Sequence, residues 1–206
     1  MQSYRFPIEV SYSDKYYDYK EQVLGNVELS EEEVQQLIEL IRHNNGETDV
    51  DELDLKSVLP EVYDKLDDAC QKVAFRTAYH AAILDSYDEG YLDDEVDSDE
   101  LIAALKEDGL FDCKYDLDEI CRDLDSKGRT EHTITLKELD EYTDSAFRAW
   151  LDDYLNSLDK EGKIDFIINY YGEDAIDNCI ARDMVEYGYD IVIPETIVKM
   201  ANNKQR

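Results

Sequence analysis

Histidines, cysteines and a long run of aspartates are the residues of this chain whose types could carry catalysis or hold a metal, and their spacing argues against most such chemistry. His43 stands beside Asn44 where an amphipathic segment ends, a place where an imidazolium complements the negative end of a helix dipole. His80 follows Val73 by seven residues on the inward side of a helical pattern, as a packed, hydrogen-bonded histidine would. His132 has no Cys or His neighbour at metal-ligand spacing. Cys70, Cys113, Cys121 and Cys179 are scattered with no Cys-x-x-Cys pair, so they read as reduced thiols packed as small apolar groups.

The aspartates invite a calcium reading. Asp123-Leu124-Asp125-Ser126-Lys127-Gly128 opens with acids at loop positions 1 and 3 and a glycine at 6. Position 5 is a lysine, position 8 is Thr130, and position 12, which should supply a bidentate glutamate, is Ile134, so an EF-hand is not expected. The run Asp93-Asp94-Glu95-Val96-Asp97-Ser98-Asp99-Glu100 lacks the ligand spacing that cation selectivity needs and reads as a solvated acidic loop with at most weak divalent-cation binding. No His-Glu-x-x-His, P-loop, Gly-x-Ser-x-Gly or dinucleotide fingerprint is present. With 52 acidic residues almost any carboxylate pair can be proposed as a glycosidase dyad, which deprives the proposal of content. The expectation is a binding protein with no catalytic residue, cofactor or metal.

What exceeds background is charge. The 206 residues hold 52 Asp and Glu against 21 Lys and Arg, a net of −31. Solubility of a small domain is served by a net charge of roughly 2–8 in magnitude, and a larger excess opposes compaction through self-repulsion. Direct contact with nucleic acid or an anionic membrane is disfavoured, because both attract Lys and Arg. The expected partner is a basic protein, with a homodimer also possible. Residues 1–25 lack a basic start, an apolar run and a cleavage site, and no stretch approaches the ~20 apolar residues of a membrane span, so a cytoplasmic location is expected. With 43% apolar residues and 16 tyrosines the chain should fold.

The elements that would position these acids follow from periodicity. Residues 3–12 and 16–29 alternate and predict a β-hairpin turning through Ser13, Asp14 and Lys15. Ser30 with Glu33 forms a capping-box pattern ahead of the stripe Val34, Leu37, Ile38 and Ile41, which stops at Asn44-Asn45-Gly46. After an acidic connector (47–55), Pro60 starts a long helix to about Asp85 with Val62, Leu66, Ala69, Val73, Thr77 and Leu84 inward.

From Asp85 to Ser126 there are 17 acidic and three basic residues in 42 positions. Two short helices are predicted there, 99–108 and 116–125, burying Leu101, Ile102, Leu105, Leu117, Ile120, Cys121 and Leu124. A brief strand at 130–135 precedes a helix from about 136 to 158 with Leu139, Ala146, Phe147, Trp150, Leu151, Tyr154 and Leu155 inward. Helices at about 163–171 and 173–187, a strand at 189–193 and a helix after Pro194 complete the reading. The fold class is α+β, predominantly α-helical: an N-terminal hairpin packed on a bundle of six to eight helices. The expected regions are 1–92 and an acidic 93–206, with a soft boundary that also permits a single domain.

The sharpest functional expectation is mimicry of DNA. A compact chain of this length has a radius of gyration near ~17 Å and a diameter of about 43 Å, and a duplex that long displays about 25 phosphates. Carboxylates on successive helical turns lie about 5–6 Å apart, close to the ~7 Å phosphate spacing along a strand. The partner-binding residues expected are Asp88, Glu89, Asp93, Asp94, Glu95, Asp97, Asp99, Glu100, Glu107, Asp108, Asp118, Glu119, Asp140, Asp144 and Asp152. Tyr87, Tyr91, Tyr115, Tyr142 and Tyr154 interleave with acids, and tyrosine is enriched at interfaces.

In composition and size the chain resembles the antirestriction and other anti-defence proteins of phages and conjugative elements, which implies inhibition by occupying the DNA-binding cleft of a nuclease. The resemblance carries no residue over. Two other expectations stand beside it. One is an acidic chaperone or adaptor for a basic protein; the other is acid retained for solvation in a salty cell.

Overall fold

The computed structural model describes residues 1–13, 18–112, 117–129, 134–183 and 186–203. In chain order the elements are β1 (Gln2–Ser13), β2 (Asp18–Leu29), α1 (Glu31–His43), α2 (Leu55–Val58), α3 (Pro60–Asp88), α4 (Tyr91–Glu95), α5 (Ser98–Glu107), α6 (Leu117–Ser126), α7 (Leu136–Ser157), α8 (Lys160–Tyr171), α9 (Glu173–Asp183), β3 (Glu186–Ile191) and α10 (Glu195–Asn203). The fold is α+β and mostly helical, with one antiparallel sheet ordered β2-β1-β3. Ten helices occur among the described residues, α2 and α4 being single turns that periodicity over longer windows does not register.

By internal contacts the chain divides into Met1–Ala82 with Ile180–Arg206, and Ile83–Cys179. In the first unit β1 alternates, with Tyr4, Phe6, Ile8 and Val10 buried. They meet Val27 and Leu29 of β2, Leu37 and Ile41 of α1, Leu66, Cys70 and Ala74 of α3, and Ile197 and Ala201 of α10 in one core. Gly25 sits in β2 because a Cβ there would lie 2.9 Å from Ile8 Cδ1 and 3.0 Å from Cys70 Sγ. The C-terminal strand, which a division into 1–92 and 93–206 leaves with the acidic region, pairs with β1 over Ile8↔Ile191 to Ser13↔Glu186. Pro7 is tolerated in this central strand because that ladder ends beside it: Val192 N donates to Pro7 O at 2.9 Å and no N–H is demanded in return.

Several expectations hold in detail. Ser30 Oγ accepts from Glu33 N at 3.2 Å while Glu33 Oε2 accepts from Ser30 N at 2.7 Å, so the capping box is complete. Asn45 and Gly46 take positive φ and end α1. The inward stripe of α3 needs correction. It runs Val62, Leu66, Cys70, Ala74, Ala78 and Ala81, steps of four and three residues, whereas Ala69, Val73 and Thr77 flank it half-buried. His80 is likewise half-buried, 3.5 Å from Arg76 Nε.

The helix expected at 173–187 ends at Asp183, because the residues from Glu186 on are drawn into the sheet, three positions earlier than the strand expected at 189–193. The acidic run 93–100 is not one loop. Asp93 to Glu95 close the turn α4, and Asp97 caps α5 by accepting from Asp99 N at 2.8 Å. The strand expected at 130–135 falls mostly outside the described residues, and Thr135 instead caps α7, with Glu138 completing a second capping box. The hairpin turn, Cys113, Tyr115 and His132 also lie outside them.

In the 83–179 unit Leu101, Ile102, Leu105, Ile120, Leu124, Phe147, Leu151, Leu155, Ile164 and Ile167 are buried. A row of rings crosses it, Phe111 to Trp150 at 5.0 Å, Trp150 to Tyr154 at 5.1 Å, Tyr154 to Phe166 at 5.4 Å and Phe166 to Tyr170 at 4.7 Å between centroids. These contacts hold α7 against α8 through large, rigid side chains. No helix of the described residues is long and apolar enough to cross a membrane.

Candidate acidic docking surface

All fifteen expected partner-binding residues lie in the 83–179 unit. That unit carries 30 acidic against nine basic residues, a net of −21 in 97 positions, while the other carries 22 against 12, a net of −10 in 109. Self-repulsion is therefore concentrated in the smaller unit, which has no strand among its described residues.

Helix geometry explains why the acids point outward. Along α7 the buried positions are Phe147, Leu151 and Leu155, and Asp140, Asp144, Arg148 and Asp152 follow one another on an exposed side at four-residue steps, a rise of about 6 Å each. Arg148 interrupts this acidic row. Its Nη1 lies 3.4 Å from Asp93 Oδ2, which brings α4 onto the same row. Tyr171, only 5% exposed, donates its hydroxyl to Asp93 Oδ1 at 3.4 Å from the end of α8. Asp93, Asp144 and Asp152 thus line one cleft of about 140 Å³ with Tyr87, Phe147, Arg148 and Tyr171. Burial, then the neighbouring Asp152, Asp93 and Asp88, push the Tyr87 hydroxyl up to about 12. Burial followed by Asp93 raises that of Tyr171 as well.

A second depression, about 470 Å³ and more open, is lined by the same segment. Glu95, Asp97 and Glu100 line it with Asp174, Tyr170, Tyr171 and Asn178. The structure therefore gathers six of the fifteen residues into two adjoining clefts that share Val96, Leu101 and Tyr171. The remaining nine line neither. Asp88 and Glu89 are exposed where α3 ends, Asp94 is exposed on α4, and Asp99 is exposed in the first turn of α5. Glu107 and Asp108 sit where α5 stops, Asp118 is exposed on α6, which also carries Glu119, and Asp140 is near the start of α7.

Tyrosines hold carboxylates here where cations are scarce. Tyr170 donates to Asp108 at 2.7 Å, and this bond, more than burial, moves its hydroxyl up to about 12. Tyr142 donates to Asp123 at 2.5 Å, and Lys127 to the same oxygen at 2.8 Å, so that Asp123 is held below the usual carboxylate range by Lys127 first and Tyr142 second. These bonds occupy Asp123, the first acid of the run Asp123 to Gly128. A phenol bond orients a carboxylate without cancelling its charge, whereas an ion pair cancels it. Among the described residues no group of three or more His, Cys, Asp or Glu is placed to hold a metal.

Arg148, Tyr170, Tyr171 and Asp174 were not singled out by sequence reasoning. Arg148 was detectable from its place in the four-residue series with Asp144 and Asp152. Tyr171 was not, since its contact with Asp93 spans 78 positions. Comparison of the chain with protein-family models, curated proteins and solved structures finds no match.

Proposed function

We propose that this is an acidic binding protein whose 83–179 unit imitates duplex DNA and occupies the nucleic-acid-binding cleft of a basic protein, as an inhibitor of the anti-defence type. Binding rather than catalysis is its role. The observation that supports this reading most is charge density. A compact unit of 97 residues is about 32 Å across, and a duplex of that length displays about 19 phosphates. The unit's net charge is −21. Its acids stand at the four-residue steps of α7 and where α4 and α5 begin, and Asp108 is oriented by a phenol that leaves the anion intact. A basic cleft evolved for phosphates would attract such a surface at long range and faster at low salt.

The test is capture from a lysate at low salt followed by competition. Duplex DNA should release the captured protein at far lower charge concentration than polyglutamate does; equal release by both would leave only nonspecific ion exchange and overturn the reading. Exposed acids with no structural bond are the ones to reverse. Asp93 and Asp97 are unsuitable, because one holds Tyr171 and Arg148 and the other caps α5. Changing Asp94, Glu100, Asp144 and Asp152 to lysine should leave the helical circular dichroism unchanged and reduce capture by tenfold or more, each lost charge pair being worth about 1 kcal/mol or less. Capture at the original level would remove this surface from the site. The adaptor reading is the alternative outcome, in which one basic protein is held specifically and duplex DNA fails to release it.

A further inference from the structure

The sheet has two outer edges, and the chain treats them differently. Outside β3, Val50 N donates to Ile191 O at 3.1 Å and Ile193 N donates to Thr48 O at 2.8 Å, so the 48–50 segment caps the C-terminal end of that edge at Ile191. β2 is the other edge strand. Among the described residues no backbone bond reaches its outer side.

The direction of its backbone groups follows from pairing parity. Val192 donates to Pro7 O, so the odd residues of β1 turn their backbone groups toward β3 and the even ones toward β2. In the register Phe6↔Gly25 and Ile8↔Val23, the odd residues of β2 answer them. Lys20, Gln22, Leu24, Asn26 and Glu28 therefore aim their N–H and C=O groups away from the sheet. Their side chains share the exposed face, where Leu24 is 52% exposed. The twelve residues of β2 contain no proline and pair with β1 without a bulge, and such an edge is a template for a further strand.

We propose that the strand it accepts is β2 of a second copy of this chain, running antiparallel about a two-fold axis at Leu24, which makes one continuous six-stranded sheet. Side-chain chemistry selects the register. Centred on Leu24, the pairing sets Leu24 against its symmetry mate, Gln22 against Asn26, and Lys20, which also holds Glu9 of its own sheet at 2.6 Å, against Glu28 on both sides of the axis, opposite charges facing each other. Centring one residue earlier sets Asp18 against Glu28, two anions, and one residue later leaves Leu24 against Asn26 and Gln22 against Glu28. Only the first arrangement matches apolar with apolar, amide with amide and cation with anion. The interface lies wholly in the less acidic unit, and its dependence on salt is opposite to that of a complex with a basic protein. Two chains of net −31 repel, so screening favours the dimer.

Sedimentation velocity on the full chain, over a wide range of protein and salt concentration, is the test. The dimer fraction should rise with both. Lys20→Glu and Glu28→Lys each oppose like charges and should leave the chain monomeric where the unsubstituted protein dimerises, while an equimolar mixture of the two restores both opposite-charge pairs and should form heterodimers. Leu24→Pro removes an N–H that serves only the outer side, so it should abolish the dimer with the circular dichroism unchanged. Hydrogen exchange at Gln22, Leu24 and Asn26 should slow as protein concentration rises. A chain that stays monomeric throughout, a mixture no more associated than either variant alone, or a dimer indifferent to Leu24→Pro would overturn the proposal. None of these outcomes depends on the acidic surface of residues 83–179.

Discussion

The two units of this chain carry excess acid at different densities and hold it with the same two devices, ion pairs and tyrosine hydroxyls, in different proportion to the acid present. In the unit of Met1–Ala82 and Ile180–Arg206, 22 acids and 12 bases surround one continuous core of sheet and helix, and conventional pairing occurs: Lys65 to Glu33 at 2.5 Å, Lys20 to Glu9 at 2.6 Å. In Ile83–Cys179, nine bases serve 30 acids; ion pairs persist, as from Arg148 to Asp93 at 3.4 Å and from Lys127 to Asp123 at 2.8 Å, and rings add two further tasks. Packed aromatic rings join α7 to α8, and tyrosine hydroxyls orient Asp93, Asp108 and Asp123. Asp108 is held by a neutral donor alone and keeps its charge, whereas Asp93 and Asp123 each accept from a cation as well as from a phenol.

The largest effect is expected in the two cores. Phe6→Ala empties a fully buried position in the sheet unit and should cost about 3–5 kcal/mol, and Leu105→Ala in the acidic unit about 2–5 kcal/mol. Hydrogen exchange reads each unit by itself. Each substitution should speed exchange in its own unit, and equal loss in both would break the description as two units.

A smaller effect is alkaline. Tyr87 ionises at about 12 in the folded state and near 10 in the unfolded chain, so the unfolded state releases its proton first. The contribution to stability should be complete below pH 10 and disappear as pH rises toward about 12, with the tyrosinate absorbance of this residue lagging behind the ordinary tyrosines. Tyr87→Phe should flatten that part of the profile; an unaltered profile would show that the hydroxyl is not held as described.

The smallest effects test the caps that the two units share. Ser30→Ala should lower the stability of α1, and Thr135→Ala that of α7, by about 1 kcal/mol each in urea unfolding. A cost near zero at Thr135 alone would mean that repulsion has already loosened the start of α7.

Much was readable from local pattern, and the reason is that the interactions concerned are local. The capping box at Ser30 and Glu33, the stop at Asn45-Gly46, and the outward placement of Asp140, Asp144 and Asp152 all depend on residues within a turn or two of one another, and the hairpin joins strands that are adjacent in the chain. In α3 Val62 and Leu66 are buried as their spacing predicts, but from there the stripe lies at Cys70, Ala74 and Ala78, one position after Ala69, Val73 and Thr77, because the small residues give a weaker apolar signal than Val73.

Sequence by itself determined the total charge, its excess between Asp85 and Ser126, and the helical period that turns those acids outward, since composition and periodicity require no knowledge of the fold. Tertiary structure alone decided that Glu186–Ile191 returns to pair with β1, that Tyr171 reaches Asp93 across 78 positions, and that the 48–50 segment bonds to the end of β3 while, among the described residues, no backbone bond reaches the outer side of β2. Those contacts join residues far apart in the chain, and the free energy that selects them comes from burying a shared surface which no single segment carries.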